Sequence, residues 1–404
     1  MQLFLEIYGY LNVVMRGWIL GAQTLTLGGA AFLTFAAPAE DSAFERTARR
    51  LIFWSALALA IGEAISGAGL LTLLRGTLDL PLKDLVGADA VLAAAAGAAS
   101  AAFVAFLVKA DASARLLLIC SALLVAAQVA VTHAVSRPDH ALALYLAEYA
   151  HMLAVAVWIG GIPYFLMMLK RVEGPARRLA ASRFSMMSVV SVATLIGSGL
   201  YLARDYVGQP AALYGASYGV MLSAKIILLA ALLLLGGLNF LTVRRWRAEP
   251  GTPILSMRRF AEVEIGVGLT VVLCAASLAS LPPARDLSSY WASGAEVVER
   301  IAPHWPPRLE SPDLSSLSIT MAQEATTSAP LAYAIGEPPP PPPRNAADLA
   351  WSEYNHHWAG LFVLAMGALA LAERRKLFAP AARHWPLVFL GLAAFIFLRA
   401  DEGA

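Results

Sequence analysis

The chain is poor in charge. Only 14% of its 404 residues are Asp, Glu, Lys or Arg, and 59% are hydrophobic, whereas soluble domains carry about 25% charged residues. An ordinary soluble domain is excluded on that ground. Cysteine is scarce too: Cys120 and Cys274 stand in the middle of separate apolar runs, with no CxxC or CxxCH. That argues against thiolate metal sites, c-type haem attachment and a disulfide framework. The sequence has no GxxxxGKS/T, so nucleotide use is not expected, and no basic arm or stripe that would take nucleic acid. A ladder of MxxxM thioethers is missing, although Met152 and Met221 are available as single soft ligands. The N-terminus lacks a basic leader region and its first apolar stretch carries Arg16, which predicts an uncleaved span rather than a signal peptide.

What is present is a series of long apolar runs. They predict an all-α, polytopic membrane helix bundle of about ten spans, near 10–36, 51–74, 86–108, 115–136, 141–169, 185–203, 215–243, 260–282, 355–373 and 385–399. Alternate connections are rich in Lys and Arg: Arg46, Arg49 and Arg50; Lys109 and Arg115; Lys170 to Arg183; Arg244 to Arg259; Arg374 to Arg383. Together they hold nineteen of the 30 basic residues. Basic connections stay in the cytoplasm, which predicts both termini outside and a lipid bilayer as the first partner. The one long connection, 284–354, then lies outside. It is polar, with an unbroken Pro338–Pro343 run that favours extended polyproline II. Within it, 291–301 is expected to form a short surface helix.

Ionisable side chains inside membrane helices are costly, and by default mark a pathway or site. Glu148 and His151 lie one turn apart on one face of the fifth span, roughly 15 Å below its outer end at 1.5 Å per residue. Trp158 is two turns further on, and Gly160–Gly161 offers a close approach to another helix. The same Glu-Tyr-x-His spelling returns as Glu353–His356, followed by His357, at the start of the ninth apolar run. With this orientation six of the seven histidines, His133, His140, His151, His304, His356 and His357, fall on the outer side, and His384 alone on the inner. Imidazole suits copper, zinc, iron and nickel, and a carboxylate one turn away can ligate or orient the ring. His133, Glu148, His151, Glu353, His356 and His357 are therefore the candidate metal ligands. Taken singly, each histidine could be a hydrogen-bonded interfacial residue, a reading that suits His140 in its turn better than the deeply placed His151.

Other buried charges have structural readings beside functional ones. Arg16 and Glu63 match in depth and suit an ion pair. Lys225, at a depth like that of His151, could pair with Glu148 or Asp205, or limit how tightly a cation binds. Glu264 and Asn239 could form an exit station, although Arg258 or Arg259 is the expected partner of Glu264.

Several blocks, in order, carry a resemblance: His151 through Trp158-Ile-Gly-Gly; Arg183-Phe-Ser with Gly197 to Tyr201; Tyr218-Gly219 with Leu222 and Lys225; Asn239; Arg259-Phe-Ala-Glu-Val-Glu264; and Leu281-Pro-Pro283. Over about 140–284 the chain resembles the CopD-type copper resistance membrane proteins, with Thr132-His133-Ala134 similar to their outer histidine element. The section from Trp351 onward resembles an extension of longer members. The resemblance implies copper as the bound ion, a bacterial inner membrane, uptake from the periplasm, and a CopC-type periplasmic copper-binding partner. It makes His133 and His151 the leading ligands and Lys225 the functional charge. The expected organisation is a four-helix part over 1–140, a CopD-like core over 141–284, a Pro-rich loop over 285–354 and a two-helix extension over 355–404. A permease rather than an enzyme is expected. Two other readings stay open: a b-type haem electron-transfer protein using His133 and His151, and a scaffold that delivers copper to an outer partner.

Overall fold

A computed structural model describes residues 2–38, 41–77, 82–129, 140–286, 291–302, 305–312, 346–377 and 379–398. It is helical, with no strand among the described residues. The chain divides into two compact units, Met1–Val297 and Val298–Ala404.

The first unit is built from α1 (Gln2–Phe35), α2 (Ser42–Thr77), the short α3 (Leu82–Val86), α4 (Asp89–Lys109), α5 (Ala114–Val129), α6 (Ala141–Trp158), α7 (Ile162–Arg171), α8 (Gly174–Val207), the one-turn α9 (Ala212–Gly215), α10 (Ser217–Ala248) and α11 (Leu255–Leu278). Helix α12 (Gly294–Ile301) falls where the two units divide, inside the stretch expected to be a surface helix. The second unit contains α13 (Ala346–Arg374), the short α14 (Ala379–Ala382) and α15 (Val388–Leu398).

Among the described residues, seven stretches are long and apolar enough to cross a membrane: Tyr8–Phe35, Ser42–Gly76, Asp89–Lys109, Ala141–Arg171, Gly174–Val207, Ser217–Ala248 and Leu255–Leu278. They coincide with seven of the ten expected spans. The other three differ. The expected span 115–136 begins as α5, a 16-residue helix that is about 24 Å long at the α-helical rise, and its remainder lies outside the described residues. The expected span 385–399 is only a short apolar helix, Trp385–Ile396. The run 355–373 sits inside the 29-residue α13, which starts earlier than its apolar part and takes in the polar turn around Glu353. The Pro338–Pro343 run lies outside the described residues.

Helix α1 is the centre of the first unit, packed against α2, α5, α6 and α11. Small residues let the backbones meet. A Cβ at Gly28 would strike the backbone of Ala156 and Gly160, and one at Gly160 would strike the Thr24 carbonyl. This is the glycine-mediated approach by which helices associate where lipid provides no hydrophobic drive. The pair Gly160–Gly161 also divides its span. Pro163 cannot donate a backbone N–H, so α6 stops at Trp158 and α7 restarts at Ile162. Below the break an aromatic cluster fills the core: Phe32 lies 5.8 Å from Phe44, 5.5 Å from Phe184 and 6.3 Å from Tyr164, centroid to centroid. The Tyr164 hydroxyl donates to the Leu25 carbonyl at 3.0 Å, which ties α7 to α1. On the outer surface Leu200, Ile227 and Leu234 stand exposed, as lipid-facing positions should.

Candidate functional site

Helices α6, α8, α10 and α11 carry Glu148, His151, Ser198, Tyr206, Lys225, Asn239, Glu264 and Cys274. Glu148 and His151 project from α6 toward α8. The Ser198 hydroxyl donates to the Thr194 carbonyl at 2.7 Å. Its single proton is thereby used, so toward His151 Nδ1, 3.2 Å away, the oxygen acts as acceptor. His151 therefore carries its proton on Nδ1 and keeps the Nε2 lone pair for a ligand, the arrangement usual at metal-binding histidines. Gly199 makes the seat: a methyl there would come within 3.2 Å of His151 Cε1. Glu148 accepts from the Tyr206 hydroxyl at 3.5 Å. From α10, Lys225 lies within electrostatic reach of both His151 and Glu148, and of Cys274 on α11. Asp205, the alternative partner considered for Lys225, meets Arg285 at 3.3 Å.

The six expected ligands do not gather into one cluster among the described residues. No group of three or more His, Cys, Asp or Glu is close enough there to hold a metal ion. His133 lies outside the described residues. Glu353, His356 and His357 belong to the second unit, on α13. There Arg308 takes the Glu353 carboxylate at 3.2 Å. His356 Nδ1 donates to the Ser352 carbonyl at 2.7 Å, and His357 Nδ1 to the Arg308 carbonyl at 3.1 Å. Both rings thus also keep Nε2 for a ligand. Adjacent positions on a helix do not face each other, so α13 alone cannot bring the two rings onto one ion.

Glu63, 8% exposed, accepts from Gln128 and feels Arg16 electrostatically. Gly97 leaves room for its carboxyl. The expected pairing of Glu264 with Arg258 or Arg259 is not what forms. Arg259 bonds Glu262 at 2.9 Å, one turn along its own helix, and Glu264 accepts from Asn239 across α10 and α11. Glu264 borders a cavity of about 260 Å³ lined by Trp158, Phe165, Phe184, Ser185, Ser188, Gly236 and Asn239, among others. Sequence reasoning missed Ser198, Tyr206 and the approach of Cys274 to Lys225. Seryl and tyrosyl hydroxyls in apolar helices give no signal until a neighbouring helix presents its partner.

The His151 cluster and the cavity occupy one seam at two levels. Trp158 is seven residues beyond His151, roughly 10 Å along α6. On α10 the chain passes Lys225 before Asn239, and on α11 Glu264 before Cys274, as antiparallel neighbours require. Trp158, 3% exposed, stands between the two levels and packs over Gly236, where an added methyl would lie 3.5 Å from its Cζ2.

Fold and seam define a polytopic membrane protein with polar groups buried between helices. Comparison with known proteins narrows this. Residues 178–278 match the family described as copper resistance protein D, so the chain carries a CopD-type segment made of α8, α10 and α11. Glu148 and His151 on α6 lie just outside it, whereas Ser198, Lys225, Asn239, Glu264 and Cys274 lie within. The copper transport protein CutJ of Bacillus subtilis (strain 168) is 28% identical over 141 residues, 34% of this chain. The match spans a quarter of that relative's length, 25%. No solved structure matches the chain.

Proposed function

We propose that the protein carries copper ions into the cytoplasm across a bacterial inner membrane, entering from the outer side at Glu148 and His151. The observation that carries this reading is the His151 ring. Its Nδ1 is engaged by Ser198, its Nε2 is left for an ion, and Glu148 lies one turn away in the same seam. The CopD-type segment, and the name of the Bacillus subtilis relative, support copper as the ion.

A neutral imidazole and a carboxylate suit Cu(II). Lys225 places a positive charge beside them, which lowers the affinity of the pair for a cation and favours release over storage. Below lies Trp158, so an ion leaving His151 along the seam meets an aromatic barrier. His133, Glu353, His356 and His357 complete the reading as outer collecting groups. A CopC-type periplasmic protein is the fitting donor.

The test is copper entry into liposomes that hold the full chain, read by a copper-chelating dye trapped inside. Entry above that of protein-free liposomes is the expected result. Stoichiometric binding without entry would replace transport by delivery to an outer partner. An intense haem band in the visible spectrum of the purified protein would replace both by electron transfer.

A further inference from the structure

Glu264 is 3% exposed, deep in an apolar helix bundle. A charge buried there without compensation is prohibitive, yet the residues lining its cavity include no lysine, arginine or histidine. Facing it are Trp158 from α6, Ile162 and Phe165 from α7, Ser185 and Ser188 from α8, and Gly236 and Asn239 from α10. None of these titrates. On its own helix, Arg259 and Glu262 bond each other.

Asn239 donates its amide to one Glu264 oxygen. Its own carbonyl oxygen, Oδ1, is buried with no hydrogen-bond partner among the described residues. The second carboxylate oxygen, Oε2, lies toward Gly236, where an added methyl would sit 3.9 Å away. The Ser188 hydroxyl spends its proton on the Phe184 carbonyl at 3.0 Å, so its oxygen too is an acceptor. The cavity thus offers several oxygen acceptors and one formal negative charge, with no sulfur and no imidazole. Hard oxygen donors of this kind do not suit Cu(I). One charge balances one monovalent cation.

We propose that the Glu264–Asn239 cavity is a membrane-embedded binding site for a small hard monovalent cation, H+ or Na+, separate from the His151 station. The site does not rest on the copper reading, and its test uses no copper.

The full chain in lipid vesicles is followed by infrared difference spectroscopy while the buffer is exchanged. One exchange runs from acid to alkaline at fixed potassium, the other from potassium to sodium at fixed pH. The expected result is a protonated-carboxyl band that disappears during an exchange and is absent from Glu264→Gln. Loss of the band with pH alone assigns a proton, and loss on adding sodium at fixed pH assigns Na+. Identical difference spectra for the unmodified protein and a folded Glu264→Gln overturn the site. Asn239→Ala serves as the second probe, and covers the case in which Glu264→Gln does not fold. Losing a hydrogen bond to the carboxylate should move the midpoint by about tenfold in cation concentration. An unmoved midpoint there overturns the site as well.

Discussion

Glu148–His151 and Glu353–His356 share one spelling, and the structure sets them in different company. On α6 the pair looks into neighbouring helices: Ser198 and Tyr206 of α8 hold it, and Lys225 of α10 faces it. On α13 the pair is held by Arg308 and by its own helix backbone. His151 is half-buried and His356 is exposed. Burial is what raises an interaction with a charge above the fraction of a kcal/mol usual at a surface. The same four-residue pattern is therefore expected to matter greatly in one place and little in the other.

His151→Ala should break that comparison most severely. It removes the one imidazole that the described residues place in the buried seam, and copper entry into liposomes is expected to fall by about 10- to 100-fold, with the protein still folded by gel filtration. Entry at the unmodified rate would take His151 out of the pathway. Next in size is Lys225→Met, which removes a nearby positive charge while keeping the length of the side chain. Copper binding, measured by equilibrium dialysis, should tighten by roughly tenfold, and copper release should slow. Weaker binding instead would mean that Lys225 holds Glu148 in place rather than opposing the ion. A double change, His356→Ala with His357→Ala, should lower entry by no more than about threefold, as expected where one ring is exposed and the other only half-buried. A loss as large as that from His151→Ala would put the second unit on the main route.

The smallest effect is expected from Cys120→Ser with Cys274→Ser. Stoichiometric copper binding should survive if, as proposed, the ligands are the nitrogen and oxygen groups of the His151 cluster. Cys274 approaches Lys225, so it is the more informative of the two thiols. Loss of bound copper from the Cys274→Ser single variant would add a sulfur ligand to the site.

Much of the architecture could be read from composition and pattern. The long apolar runs gave seven spans that the structure reproduces, because 20 or so apolar residues in a row have little alternative to a membrane helix. Gly160–Gly161 marked a close helix approach, and Gly28 with Thr24 of α1 is where that approach occurs. The break between α6 and α7 was not foreseen, although Pro163 beside two glycines spells it. Glu264 shows the opposite limit. Arg258 and Arg259 are near it in sequence, and proximity in sequence suggested a pair. Helix geometry instead aims Arg259 at Glu262 and turns Glu264 inward to Asn239.

By itself, then, the sequence determined the class of the protein, the positions of most crossings and the short roster of ionisable groups buried within them. These follow from the cost of placing polar groups in hydrocarbon, a cost that acts on each segment alone. Which buried groups meet was decided only by tertiary packing. Ser198, Tyr206 and Lys225 reach the Glu148–His151 face from other helices, and Cys274 reaches Lys225 from another still; such short interactions depend on where those helices lie against one another.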